Sequence, residues 1–340
     1  MTADFFDRLE DQLRTAVARR AAPAHAGRER LTRRRRLTLL TTAVSLPTAA
    51  AVLALVLVGV LGSNGAHPTS ASASQLLAQA ANAAGRQPAE PPLAPGEYHY
   101  SRELDNDVVE FGDDHWARVT VAVERWVSRD GRLRLHAEPI GAPAFFSAAD
   151  RRAWERAGRP ALGRRQASLL RRELSVQRDG RSFHVGPRLL SFAELRALPT
   201  APTKLRAVLA RYAREYHTGR ASAASYEFVF ATQIIRGTPA SPSLRAAAFR
   251  VLASLPGVRA EGTMRDHAGR SGTAVSVKWG DIRRVLIFDP VSARVLEERF
   301  LTLPPSRSLM PSYPNLPAGA TIGFITQQAT GVVQGPNQRP

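Results

Sequence analysis

The sequence predicts an α+β protein: one transmembrane helix followed by an antiparallel, curved sheet covered on one face by helices. Three observations carry that expectation. An uncharged run covers 37–62, segments alternating with a period of two occupy roughly 97–136 and 257–301, and the stretch between them repeats apolar residues at helical spacing.

The uncharged run is 26 residues long, densest from Ala49 to Leu61, and about 20 apolar residues suffice to cross a hydrocarbon core. Pro47 is tolerable there because neighbouring hydroxyls can take up the freed backbone groups. Arg28, Arg30 and Arg33 to Arg36 precede the run, whereas Arg86 is the lone charge in 63–87. Positive residues stay inside, so 1–36 is expected in the cytoplasm and the remainder outside the plasma membrane. A cleaved export signal is the alternative, with twin arginines in "TRRRRL" and a small-residue site at Ala71-Ser72-Ala73. The apolar region exceeds the usual signal length, which favours a retained anchor over that signal or a buried helix.

Within 1–36, Phe5, Phe6, Leu9, Leu13 and Val17 recur at helical spacing, with Asp4 and Asp7 first and Arg19 and Arg20 last. This short amphipathic helix would lie on anionic lipid or dock on a cytoplasmic regulatory protein. Residues 63–95 read as a linker holding a helix from Ser74 to Ala84, capped by Ser74. The folded extracytoplasmic domain is expected over 96–333.

Its first strands are "EYHYSRE", "ARVTVAVERWVS" and "RLRLHAE". The acidic stretch "ELDNDVVEFGDDH" reads as a solvated loop without the spacing of a calcium-binding loop. "RDGR" occurs at 129–132 and 178–181, and an Asp-Gly pair between strands marks a tight hairpin turn. Helices follow over Pro202 to His217, on the stripe Tyr226, Val229, Phe230 and Ile234, and from Pro242 to Ser254 with Ser241 as cap. "GVRAEGTM", "GTAVSVKW", "IRRVLIFD" and "ARVLEERFL" then predict a meander, Thr321 to Val333 a last strand, and 334–340 a disordered tail.

Composition narrows the chemistry. The chain has no cysteine, which excludes disulfides, thiolate metal sites and a cysteine nucleophile. It carries 47 Lys+Arg against 29 Asp+Glu, yet only Lys204 and Lys278 are lysines. Such a basic chain suggests nucleic acid, but the basic bulk is expected outside the cell, so no nucleic-acid partner is assigned. No hydrolase elbow, zinc-protease helix or phosphate loop is present, the eight histidines are scattered, and no catalytic, cofactor or metal residue is nominated.

The stretches "FFDRLEDQLRTAVARR", "PGEYHYSRE", "ERWVSRDGRLR", "LPTAPTKL", "SLRAAAFRVLASLPGV" and "RRVLIFDPVSARVLEE" together resemble an actinobacterial family of single-pass proteins with an extracytoplasmic domain. That family usually closes its last motif with a Thr-Gly turn, where Ser292-Ala293 stands here. Its domain in turn remotely resembles the lipoprotein-carrier (LolA/RseB-like) fold, which implies an apolar groove for an acyl chain or a partner's peptide. The expected function is therefore non-enzymatic: a membrane-anchored binding or sensing module for a lipid or lipoprotein, with a sigma-factor-type regulatory protein at residues 1–36. Trp126, Trp279, Phe288 and Phe300 are the candidate groove residues, though buried packing would give them the same sequence signature. An envelope hydrolase and an exported structural protein are the alternatives.

Overall fold

The computed structural model describes residues 71–112, 115–174, 180–216, 221–303 and 318–340. The predicted amphipathic leader helix and the membrane span at 37–62 lie outside these. No helix among the described residues is long and apolar enough to cross a membrane.

The fold is α+β. Helix α1 (Ala73–Gly85) leads into strands β1 (Tyr98–Glu110), β2 (Trp116–Ser128) and β3 (Leu133–Phe145). Helices α2 (Ala148–Arg156) and α3 (Leu162–Leu174), the small hairpin β4 (Phe183–Val185) and β5 (Arg188–Leu190), and α4 (Phe192–Arg196) come next. Then come α5 (Pro202–Tyr216), α6 (Ala223–Ile235) and α7 (Pro242–Ser254), followed by β6 (Arg259–Arg265), β7 (Ser271–Trp279), β8 (Ile282–Phe288), β9 (Val295–Thr302) and β10 (Thr321–Val333). The large sheet runs β3-β2-β1-β10-β9-β8-β7-β6 with every neighbouring pair antiparallel. The last strand thus joins the N-terminal three strands to the C-terminal meander.

Alternation along the strands divides the sheet into two faces. Val121, Val123 and Val127 of β2, Val275 and Val277 of β7, and Leu286 and Phe288 of β8 belong to the main core with the helices. Two ring contacts tie helices to that face: Tyr226 on Trp279 at 4.5 Å and Phe249 on Phe288 at 5.5 Å. The sequence stripe on α6 understates its surroundings. All but its first two residues are buried, since the helix is enclosed by α5, α7, the sheet and the β4–β5 hairpin.

Four boundaries differ from the sequence expectation. α1 is capped by Ser72, whose hydroxyl accepts from Gln75 N while the Gln75 side chain returns to Ser72 N, so the helix begins earlier than Ser74 would allow. Nor is α1 part of a linker: Leu77, Ala81 and Ala84 are fully buried and the helix packs on α7, which places it in the domain expected to start at 96. The acidic stretch from Glu103 is strand rather than solvated loop, with its carboxylates at 103, 105 and 107 buried. Finally, the end at 334–340 is not disordered here but lies against the sheet, where Arg339 and Gln338 hold Glu124 and Trp126. Ser292-Ala293 forms a tight turn without a glycine. Ala293 takes φ 55°, held by its N–H to Asp289 O at 2.8 Å while Asp289 Oδ1 accepts from Val291 N and Ser292 N.

The glycines of the two "RDGR" stretches meet. Gly131, in the β2–β3 hairpin at φ 80°, lies so close to Gly180 that a Cβ on it would fall 1.9 Å from Gly180 O. Ser182 Oγ donates to Gly131 O at 2.6 Å and ties the chain after Gly180 to the β2–β3 turn. Gly131→Ala is therefore expected to cost about 1–3 kcal/mol, from positive φ and from backbone overlap together. A urea midpoint within error of the parent would contradict this packing.

Candidate functional site

Strand β1 runs through the middle of the sheet, where the core-facing positions of a buried strand are ordinarily apolar. Here they are His99, Ser101, Glu103, Asp105 and Asp107, all buried. The neighbouring inner row of β2 is Val119, Val121, Val123, Arg125 and Val127, so Arg125 is its one charge. A polar seam under the helices is costly unless each group is satisfied, and such a conflict between residue type and position is expected at functional or strained sites.

The upper end of the seam opens into a half-open cleft with about 80 Å³ of enclosed space. Its floor is His99, Ser101 and Glu103, with Arg125 and Val127 beside them. The β4 hairpin supplies Phe183 and His184 as one wall, and the C-terminal end of α6 supplies Gln233, Arg236 and Gly237 as another. Local chemistry sets each wall. Gln233 Oε1 accepts from Gly186 N at 2.7 Å, which fastens the hairpin tip to α6, and Gly186 at φ 58° approaches the Phe230 ring. α6 stops at Arg236, whose backbone turns extended, and Gly237 continues at φ 62° against Gln327. A bulge interrupts the β1–β10 register between Arg102 and Glu103, and Gln327 Nε2 bridges it to Arg102 O and Ala329 O at 3.0 and 3.1 Å. Bulges re-aim side chains, and here the residue that follows is Glu103.

The charges form a chain through the core. Arg125 Nη2 donates to Glu103, and Arg236 Nη1 donates to Glu298 Oε2 at 3.2 Å. Glu298 Oε1 accepts from Arg284 Nε at 3.0 Å and also from Arg284 Nη2. Burial alone would raise the Glu103 carboxyl, but the guanidiniums of Arg125 and Arg236 outweigh it and hold Glu103 below the ordinary carboxylate range. Burial lowers Arg284, which is wholly enclosed.

Two imidazoles line the same cleft. Burial pushes His184 down to about 3, with Arg125 adding to the shift, and burial likewise lowers His99 against the opposing pull of Glu90 and of Gly237 O. Both rings are neutral at pH 7, and His99 Nε2 lies 3.3 Å from Gly237 O. A histidine whose folded value is depressed gains its proton more readily in the unfolded chain, so stability falls as pH drops below 6.5, and for His184 until about 3. Paired carboxylates such as Glu103 lose their contribution only below 4.5. The thermal midpoint is thus expected to decline already between pH 6.5 and 5, and His184→Gln should flatten that part of the curve. A flat wild-type profile down to pH 5 would count against neutral burial.

The four aromatic residues nominated from sequence do not line this cleft and do not meet one another as a groove. Trp279 and Phe300 flank the buried Arg284, with its guanidinium carbon 5.2 and 5.0 Å from their ring centres. Phe288 is packed under α7 by Phe249. Trp126 is on the opposite face, clustered with Tyr100 and Val333. Trp279, Phe288 and Phe300 are internal packing residues, because a large ring on a sheet face covered by helices is removed from solvent by those helices, whereas Trp126 is covered by residues 334–340 instead. The residues that do line the cleft could have been flagged by alternation alone: "HYSRELDND" puts a polar residue at every second position of a strand. Asp and Asn are depleted in strands, so this segment runs against its own propensity. Among the described residues no group of three or more histidines and carboxylates could hold a metal ion.

A second depression, with about 190 Å³ of enclosed space, lies along the edge strand β3 between Pro139, Ile140 and Pro143 and the α2–α3 turn with Trp154 and Leu162. It holds no comparable charge arrangement. Comparison of the chain with family models, with curated proteins and with solved structures finds no match.

Proposed function

We propose that this chain is a membrane-anchored, extracytoplasmic binding module whose cleft takes the anionic polar head of an envelope lipid or lipoprotein. The anchor is the uncharged run at 37–62, with the arginine-rich leader in the cytoplasm, where its helix would meet a regulatory protein. On this reading the fold belongs with the curved, helix-plugged sheets of lipoprotein carriers. The single observation that carries the ligand reading is the polar seam of β1 opening at the cleft. Of its ionised lining groups, Arg125 and Arg236 are cationic and Glu103 is anionic, while both imidazoles stay neutral. Val127, Leu133 and Phe183 add an apolar border suited to the start of an acyl chain. Glu103 acts as a built-in substitute for the ligand's anion, occupying Arg125 until a phosphate or carboxylate replaces it.

Native mass spectrometry of the full-length protein in nanodiscs tests this. A co-purified anionic amphiphile is expected, and Glu103→Gln, which removes the competing carboxylate charge from the cleft without changing shape, should raise its occupancy several-fold. A cleft that stays empty in both proteins would overturn the reading. Protease added to intact cells should digest the C-terminal bulk and spare the leader; the reverse pattern would overturn the topology.

A further inference from the structure

The face of the sheet turned away from the main core carries a second built site, already filled. Tyr100, Trp126 and Val333 form a small buried cluster with Tyr98 and Ala329 around it. Glu124 sits beside them, almost wholly buried, and accepts from Tyr100 Oη at 2.6 Å. Residues 334–340 lie over this cluster, and from Pro336 onward they are exposed. Their grip is specific. Arg339 clasps the Glu124 carboxylate with both arms, Nε to Oε1 at 2.6 Å and Nη2 to Oε2 at 2.8 Å. Trp126 Nε1 donates to Gln338 O at 2.7 Å, and Pro340 closes on Gly331, which leaves no room for a Cβ there without a shift. A turn with Gln338 N on Gly335 O and Asn337 at φ 79° shapes the segment for this fit.

These are the parts of a peptide receptor: an indole that reads a backbone carbonyl, a buried carboxylate that takes a guanidinium in fork geometry, and an apolar shelf for proline. The ties are one backbone carbonyl and one side chain of a solvent-exposed segment, whereas the receptor groups are fixed in β1 and β2. Glu124 is also directly across the ladder from Arg102, so the carboxylate keeps a cationic neighbour when the segment leaves.

We propose that the Tyr100–Glu124–Trp126 surface is a binding site for an extended, arginine-proline-bearing segment of a partner polypeptide, and that residues 334–340 occupy it in cis as a competitor. The cis segment is tethered directly to β10, which gives it an effective concentration of the order of millimolar. A partner therefore binds measurably only where it exceeds that competition or where the segment's own arginine is removed. This site is separate from the cleft, on the opposite face, and its failure would leave the lipid reading untouched.

A fluorescently labelled peptide with the sequence QGPNQRP is the probe, titrated by anisotropy into the full chain and into its Arg339→Ala variant. Arg339 is on the surface, so the variant should fold as the parent does, checked by circular dichroism. Binding to Arg339→Ala is expected at least tenfold tighter than to the intact chain, and a peptide with glutamine in place of its arginine should not bind. Adding Glu124→Gln to the variant should abolish binding in a protein whose spectrum is unchanged. Equal affinity for the intact chain and Arg339→Ala, or binding indifferent to the peptide's arginine, would overturn the proposal.

Discussion

Replacing Glu298 by alanine is expected to destabilise the protein by about 3–5 kcal/mol, the largest loss for any single charge. The carboxylate is buried, and it is shared between Arg236 at the end of α6 and Arg284 on β8. Its removal leaves two guanidiniums in a low-dielectric core, and neither can shed its proton there, because arginine keeps its charge at any accessible pH. The rings of Trp279 and Phe300 beside Arg284 recover part of the penalty but supply no hydrogen-bond acceptor. Chemical denaturation would show the loss as a lower midpoint with an unchanged slope. A double variant that also converts Arg284 to methionine should recover much of it, since an apolar replacement of a buried pair is often neutral or stabilising. A loss below about 1 kcal/mol in Glu298→Ala would mean that the pair is hydrated in solution.

Phe288→Ala is expected to cost about 3–5 kcal/mol as well, through lost contacts and an unfilled cavity. The ring is 1% exposed and sits edge-on to Phe249, so it joins β8 to α7 at the centre of the main core. Surrounding side chains here come from both a strand and a helix, and neither can move inward without loosening the other. Ligand occupancy of the cleft should be unchanged at temperatures where the variant stays folded. If the ring lined a ligand groove instead, occupancy would fall while the melting temperature barely moved.

Phe288 lies where sequence pattern stops being informative: its burial is legible, but its partner is not. The strands of the meander, β10 and α7 were legible because their patterns agree with their surroundings: one face apolar, one polar, with Ser241 and Pro242 announcing the helix start. The segment from Ala148 to Arg196 was not. Its helices α2 and α3 are short and rich in arginine, and their positions depend on contacts that no local pattern encodes, such as Arg171 Nη1 on Ala137 O and Trp116 N on Asp150. The aromatic candidates failed for a related reason: ring size says that a residue is buried, not by what. Trp126 and Trp279 are both in strands, yet one closes over a terminal segment and the other over an arginine. The polar seam of β1 was visible in principle. It contradicts strand propensity, and a conflict between a residue's preference and its position is what a functional cleft leaves in a sequence.

The place of β10 between β1 and β9 has a consequence for how the chain reaches its native state. Until residues 321–333 arrive, the three strands at the front and the four at the back are separate half-sheets, each with a bare edge ready to pair with a stranger. The contacts that seal them join positions more than two hundred residues apart, such as Tyr98 with Val333. High contact order makes such closure slow. Maturation therefore waits on residues 321–333, and the interval beforehand is when the half-sheets are most exposed to proteases and to their own siblings.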